Sequence, residues 1–401
     1  MVKLRTIFLY NMNISDYDDQ ILLIEGCNFN DFPVGGQLTF CRYLLKCFPE
    51  YKFKLVGITT DKKDDIGQWQ NKMIEGKYYR FFPLYYVEPR NIKPRIPARL
   101  KIFISILKYK NKIMPQRNIP YRVITNAPET ILAISLLRRK SYVLHIFHGL
   151  DNPISKSRYK IFRCLGNIFW VIYIKIIKKL DMLLAISDKS KIEEFINKNN
   201  IKKNIYNIST YYDDSIFRVM NINKRDNLTF IFCGRINEVK GWHLLISSFK
   251  VYLDRFGTAD LVIIGDGEDK NRLVSLIERM GIKSRVILTG FLEPDQIAIW
   301  FNRSDIFLLP SEREGWPTVL LEALACGLPA VVTNVSGVTK LIKDGINGYI
   351  VKKRDDIEYS YYMNQATYLA RPNEESIKIS EKYRLSYLKS DLIRLFPNYF
   401  L

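Results

Sequence analysis

Long apolar runs, paired cysteines and, over its first half, acidic residues are all scarce in this chain of 401 residues. No stretch reaches 18 consecutive uncharged apolar residues, so no membrane-spanning helix is expected. The opening MVKLRTIFLYNMNISDYDD lacks the order of a cleavable leader, and a soluble or peripheral cytoplasmic protein is expected. The six cysteines (Cys27, Cys41, Cys47, Cys164, Cys233 and Cys326) are scattered, with no C-x-x-C spacing. That scatter argues for reduced, packed thiols over a disulfide framework or a cysteine metal centre. No Asp-x-Asp pair suits a divalent ion, since Asp18-Asp19, Asp64-Asp65 and Asp213-Asp214 are merely adjacent. Neither metal nor cofactor is expected.

The shortage of acidic residues is local. Of a net charge of +20, residues 1–200 carry +17, from 34 Lys/Arg against 17 Asp/Glu. Between 93 and 180, 19 Lys/Arg face only Glu129 and Asp151. The segments RLKIFISILKYKNKIMPQR (99–117) and SRYKIFRCLGNIFWVIYIKIIKKL (157–180) interleave these cations with large apolar side chains. Such helices can lie on an anionic membrane surface, or can pack into a core with solvated lysines. Nucleic acid would use the same field, but no reader motif is present and none is expected as a partner.

What is abundant is Ile, Val and Leu in short runs that alternate with helical periods. In the first half, KLRTIFLY (3–10), FKLVGITT (53–60), YRVITN (121–126), YVLHIFHG (142–149) and MLLAIS (182–187) read as strands. Helices are expected over about 97–112, 128–139, 155–179 and 189–198, and FPVGGQLTFCRYLLKCFPE (32–50) reads as a glycine turn into an amphipathic helix. Residues 207–227 have no period and are expected to form a linker. Strands follow near 228–233, 261–264, 286–289, 306–309, 330–333 and 348–351, and an amphipathic segment near 376–396 closes the chain. The alternation implies α/β architecture with doubly wound parallel sheets.

PSEREGWPTVLLEALACG (310–327) concentrates the chemistry. A buried strand runs into a loop, Pro317 suits the first helical position, and Gly327 suits the left-handed position past the end. Glu314 then stands before the helix and Glu322 about a turn and a half inside an almost wholly apolar one. A buried carboxylate without a cation nearby in sequence needs hydrogen-bond donors. Sugar hydroxyls supply them, and a helix N-terminus attracts phosphate. Read alone, Glu314 could equally serve the helix dipole and Glu322 a salt bridge.

This segment resembles the E-x7-E signature of the retaining glycosyltransferases of family 4 (glycosyltransferase group 1). FIFCGRINEVKGWHLLISSF (230–249), LVIIGDGEDKNRL (261–273), VILTGFLEPDQIAIWFNRSDIFLLPS (286–311) and PAVVTNVSGVTKLIKDGINGYIV (329–351) extend the resemblance in order. It implies the GT-B fold: two facing Rossmann-like doubly wound domains with a C-terminal helix crossing back. The expected division is an acceptor-binding domain over 1–210, joined by a helix over about 376–401, and a nucleotide-sugar domain over 211–375. The implied activity moves a hexosyl group from a UDP- or GDP-sugar to a hydroxyl of a surface polysaccharide or glycolipid.

By the same resemblance, Arg235 and Lys240 bind the diphosphate, Glu314 contacts the sugar, and Glu322 accepts from the ribose. His148, ending a strand of the first domain, contacts sugar or acceptor, and Gly35 and Gly36 bring backbone to the diphosphate. Gly234, Gly265, Gly267, Gly315, Trp316 and Thr318 complete the nucleotide site. A glycine pair before a helix, a strand-end histidine and a basic loop also occur without any ligand, and His145 and His243 read as structural. Two positions depart from the family: Glu268 replaces a common proline, and Lys340 stands where a glutamate is frequent, after Ser336-Gly337. The rival readings are a nucleotide-sugar epimerase, a phosphorylase, and an inactive sugar-binding protein.

Overall fold

The computed structural model describes residues 20–33, 35–88, 96–116, 119–137, 139–148, 150, 152, 160–180, 182–186 and 189–400, with the backbone alone for 160–165. The chain divides into two compact units, residues 1–208 with 391–401, and residues 209–390. Among the described residues no helix is long and apolar enough to cross a membrane.

The first unit is built on β1 (Ile21–Ile24), β2 (Phe53–Thr59), β3 (Gln70–Ile74), β4 (Lys77–Tyr86), β5 (Tyr121–Thr125), β6 (Ser141–Phe147), β7 (Met182–Ile186) and β8 (Tyr206–Ile208). Their order in the sheet is β3-β4-β2-β1-β5-β6-β7-β8, parallel throughout except for the edge hairpin β3–β4. Strands β1, β2 and β5 are apolar and almost wholly buried, as sheets covered by helices on both faces require. The expected strand over 3–10 lies outside the described residues. The strand ILLI at 21–24 sits in a stretch whose flanking Asp and Asn residues read as loop, and the hairpin β3–β4 was equally unanticipated.

The second unit holds β9 (Thr229–Cys233), β10 (Asp260–Ile264), β11 (Val286–Gly290), β12 (Ile306–Leu309), β13 (Ala330–Thr333) and β14 (Gly348–Val351). All pair in parallel in the order β11-β10-β9-β12-β13-β14. The chain winds outward one way from β9 and then the other way from β12, so the topology reverses between these two neighbours. Two apolar layers sandwich the sheet. One is centred on Phe230, Trp242 and Tyr359, the other on Phe301, Phe307 and Leu320.

Three expectations need correction. The units divide at 208/209, within the expected linker 207–227, but most of that stretch belongs to the second unit: Tyr212 and Phe217 are buried there, because a segment without period can still supply single apolar anchors. The returning segment begins at 391, not 376; helix Glu374–Ser380 stays in the second unit, where Ser376 Oγ donates to the Leu328 carbonyl at 2.9 Å. The helix expected over 97–112 breaks at Tyr109 into Ala98–Lys108 and Lys110–Ile113.

Candidate active site

In an open parallel sheet, the crevice beyond the carboxyl ends opens where the strand order reverses. Here that point is the β9/β12 boundary, and the loops leaving β9, β10 and β12 carry most of the expected residues. Gly234 and Arg235 follow β9 directly, Arg235 exposed. The loop then tightens into a short turn, Glu238–Lys240, started by Asn237, whose side chain accepts from the Lys240 amide. Gly241, left-handed at φ 71°, ends the turn and starts helix Trp242–Arg255.

That turn aims Lys240 across to the loop after β12. Lys240 Nζ donates to Glu314 Oε1 at 2.7 Å, and Ser311 Oγ donates to the same oxygen at 2.7 Å. The Glu314 side chain is only 9% exposed, and among the described residues nothing donates to its Oε2. Thr333 Oγ1 holds the Ser311 carbonyl at 2.5 Å, and Arg354 Nη1 holds the Pro310 carbonyl at 2.8 Å. Ser311 and Arg354 were not singled out from the sequence, since a serine after a strand and a distant arginine give no local signal.

Helix Thr318–Ala325 begins one residue later than expected, with Pro317 just outside it. Pro317 has ψ 84°, extended enough to let the chain turn, and Gly327 takes the expected left-handed conformation at φ 78°. Glu322, half-buried in the second turn, has no donor among the described side chains. Burial, and after it the Asp213 carboxylate, pushes its carboxyl up to about 7. Thr318 Oγ1 meets Thr210 Oγ1 at 3.1 Å. Gly315 is exposed, with open space where a Cβ would stand. Trp316 has a buried indole N–H without a hydrogen-bond partner among the described residues, and Lys340 Nζ lies 5.5 Å above its ring. The departure at position 340 thus places a cation on this tryptophan.

The glycines divide by cause. A Cβ on Gly265 would lie 2.0 Å from the Gly234 carbonyl oxygen, and one on Gly267 would lie 2.2 Å from that of Ile236. The loops after β9 and β10 run back to back, tied by Ile236 N donating to the Asp266 carbonyl at 3.0 Å. Protein packing alone therefore demands Gly265 and Gly267. At Gly234 the nearest side-chain contact would be an ordinary 3.4 Å, so packing there makes no such demand.

His148, Gly35 and Gly36 belong to the first unit. Gly36 opens helix Gly36–Cys47, whose Phe40 packs edge-on against the His148 ring at 5.6 Å. His148 follows β6 directly; burial lowers its imidazole to about 4, and its buried Nε2 has no partner among the described residues. His145, inside β6, is satisfied: Nδ1 donates to the Thr125 carbonyl at 2.9 Å, so Nε2 accepts from the Tyr173 hydroxyl at 2.7 Å. Burial lowers His145 to about 3, which keeps the ring neutral. His243 is exposed at a helix start, 3.9 Å from Glu238. Gly149 lies outside the described residues.

Residues 213–382 match the family model described as Glycosyl transferases group 1. An uncharacterised glycosyltransferase of Methanocaldococcus jannaschii is 27% identical over 328 residues, 73% of this chain and 76% of the relative. A second from the same organism is 33% identical over 132 residues, 33% of this chain and 34% of that relative's length. The fold resembles Anabaena HepE, solved with UDP and glucose, at a TM-score of 0.69 and 15% identity over 94% of this chain and 99% of that one. It also resembles the lipopolysaccharide outer core galactosyltransferase WaaB at 0.63 and 20% identity, over 94% and 99% of the two chains. The chain thus has a GT-B fold, and its second unit carries the match to the group 1 glycosyl transferases.

Proposed function

We propose that the protein transfers a hexosyl group from a UDP- or GDP-sugar to a hydroxyl of a cell-surface polysaccharide or glycolipid, in the cytoplasm and with retention of anomeric configuration. The observation that carries this reading is the Lys240–Glu314 pair at the reversal point of the second sheet, with the undonated Glu322 carboxyl on the helix that follows. HepE with its UDP and glucose, and WaaB as a galactosyltransferase, support a nucleotide-sugar donor and a glycan acceptor.

In this reading Arg235 and Lys240 face the diphosphate, and Glu322 accepts from the ribose hydroxyls. Glu314 orients the sugar with its open Oε2, while Ser311 keeps Oε1 in place. The bond between the anomeric carbon and the phosphate oxygen breaks, and its electron pair goes to the leaving diphosphate. Lys240 offsets that developing charge, a preorganised cation doing what water would do less well. The acceptor oxygen bonds to the same face of the sugar, and its proton passes to the departing phosphate. His148, neutral at ordinary pH, offers a hydrogen bond to sugar or acceptor without adding charge.

The test combines thermal-shift screening of UDP- and GDP-sugars with an assay of nucleoside diphosphate release. At least one donor is expected to stabilise the protein. Lys240→Ala should lower turnover at least about tenfold, since one charge-assisted contact contributes about 1.5–3 kcal/mol. Full turnover in that variant, or no stabilisation by any donor, overturns the reading.

A further inference from the structure

One side of the first unit carries a surface outside the proposed sugar-transfer site. The connections from β4 to β5, β5 to β6 and β6 to β7 all cross on this side, through helices Ala98–Lys108, Pro128–Leu136 and Lys160–Ile177. Pro128–Leu136 packs between the other two. The layer turns Ile102, Ile106, Ile134, Ile174 and Ile177 inward. It nevertheless leaves large aliphatic side chains outside: Ile104 is 49% exposed, Leu136 57%, Ile168 60% and Val171 54%.

On helix Lys160–Ile177 these residues form a stripe. Ile168, Val171 and Ile172 stand at i, i+3 and i+4, the exposed Lys175 continues the same face one turn beyond Ile172, and the exposed Lys179 follows just past the helix end. Exposed Lys108, Lys110, Lys112, Lys140 and Lys178 lie on the same helical layer or at its helix ends. The only acidic residue on its three helices, Glu129, is buried, and the next helix, Lys189–Asn199, brings Glu193 and Glu194.

We propose that this helical face docks on a bilayer surface bearing anionic phospholipids. Ile168, Val171 and Ile172 enter the boundary between headgroups and acyl chains, and the lysines meet the lipid phosphates. The occupant follows from charge and composition. Cations of one sign surround isolated aliphatic side chains, whereas the core of a protein–protein interface is depleted in lysine. The inference stands on this surface alone and holds or fails independently of sugar transfer.

Sedimentation of the full chain with vesicles tests it. The protein should pellet with phosphatidylglycerol-containing vesicles at low salt and stay in solution with pure phosphatidylcholine. Ile168→Ser with Ile172→Ser, and Lys175→Glu with Lys178→Glu and Lys179→Glu, should each cut the pelleted fraction about fivefold or more with the melting temperature unchanged. All five positions are exposed, so the core is untouched. Hydrogen exchange on the unsubstituted protein provides an independent readout, and vesicles should slow exchange over 166–179. No pelleting at low salt overturns the proposal. So does equal pelleting on neutral vesicles, or a lipid-free dimer that protects 166–179.

Discussion

Glu322 and Glu25 both have carboxyl groups that burial holds above the usual carboxylate range, with different consequences. Glu322, raised to about 7, faces the proposed ribose site without donors among the described residues. Ribose hydroxyls favour the charged form, so nucleotide binding should expel a proton. Below about pH 7 that ionisation opposes binding, and affinity for the nucleoside diphosphate should fall about tenfold from pH 7.5 to 5.5. Calorimetry in buffers of different ionisation enthalpy measures the released proton; Glu322→Gln should release fewer and show a flatter pH dependence, after allowance for the phosphate's own titration. Glu25, at the end of β1, is raised to about 8, chiefly by burial, with the neighbouring Glu129 adding to it against the Asn126 amide bond. Its native proton is held more tightly than in the unfolded chain. The stability it contributes is therefore complete below about pH 4.5 and is lost as pH rises towards 8. Glu25→Gln should melt close to the wild type at pH 5 and above it at pH 8, and equal differences at both pH values would refute this account.

At the scale of elements, the loops above the second sheet are fixed by backbone approach more than by side chains. A Cβ at Gly241 would stand 2.0 Å from the Pro310 carbonyl oxygen, at a backbone φ of 71° that disfavours any side chain. Pro310 is already held by Arg354 and leads directly to Ser311 and Glu314. Gly241→Ala should destabilise the protein by about 2 kcal/mol or more in urea unfolding and impair donor binding as well. Gly315→Ala, where a Cβ meets open space, should leave unfolding within about 0.5 kcal/mol of the wild type. All six strands of the second sheet were legible from sequence, because each is a short apolar run bounded by turn formers. In the first unit β1 escaped notice, being four residues long, as did β3, whose QNKMI alternates too weakly to mark an edge strand. Both acidic residues of the E-x7-E segment were legible as carboxylates around a helix start, which is where the structure places them. The cation of Glu314 was not, because Lys240 lies 74 residues away and only the neighbouring placement of β9 and β12 brings them together.

At the scale of the molecule, charge and core are distributed differently. Each unit buries apolar layers against its own sheet. The positive charge is not shared in that way: residues 1–200 carry +17 of the +20. Like charges repel most in the compact state, and added salt screens them over a Debye length of about 8 Å at physiological ionic strength. Raising salt should therefore lift the melting temperature of the first unit and leave the second nearly unmoved. A calorimetric scan of the full chain provides the measurement, with a nucleoside diphosphate used to mark the second unit's transition. Ligand at about a hundred times its dissociation constant contributes about 2.7 kcal/mol to the form that binds it. The transition that the nucleotide raises should be the one that salt leaves in place. If a single transition responds to both, the charged half and the half that holds the candidate site unfold as one cooperative body, and the basic surface is then opposed by the stability of the whole chain instead of by that of its own core.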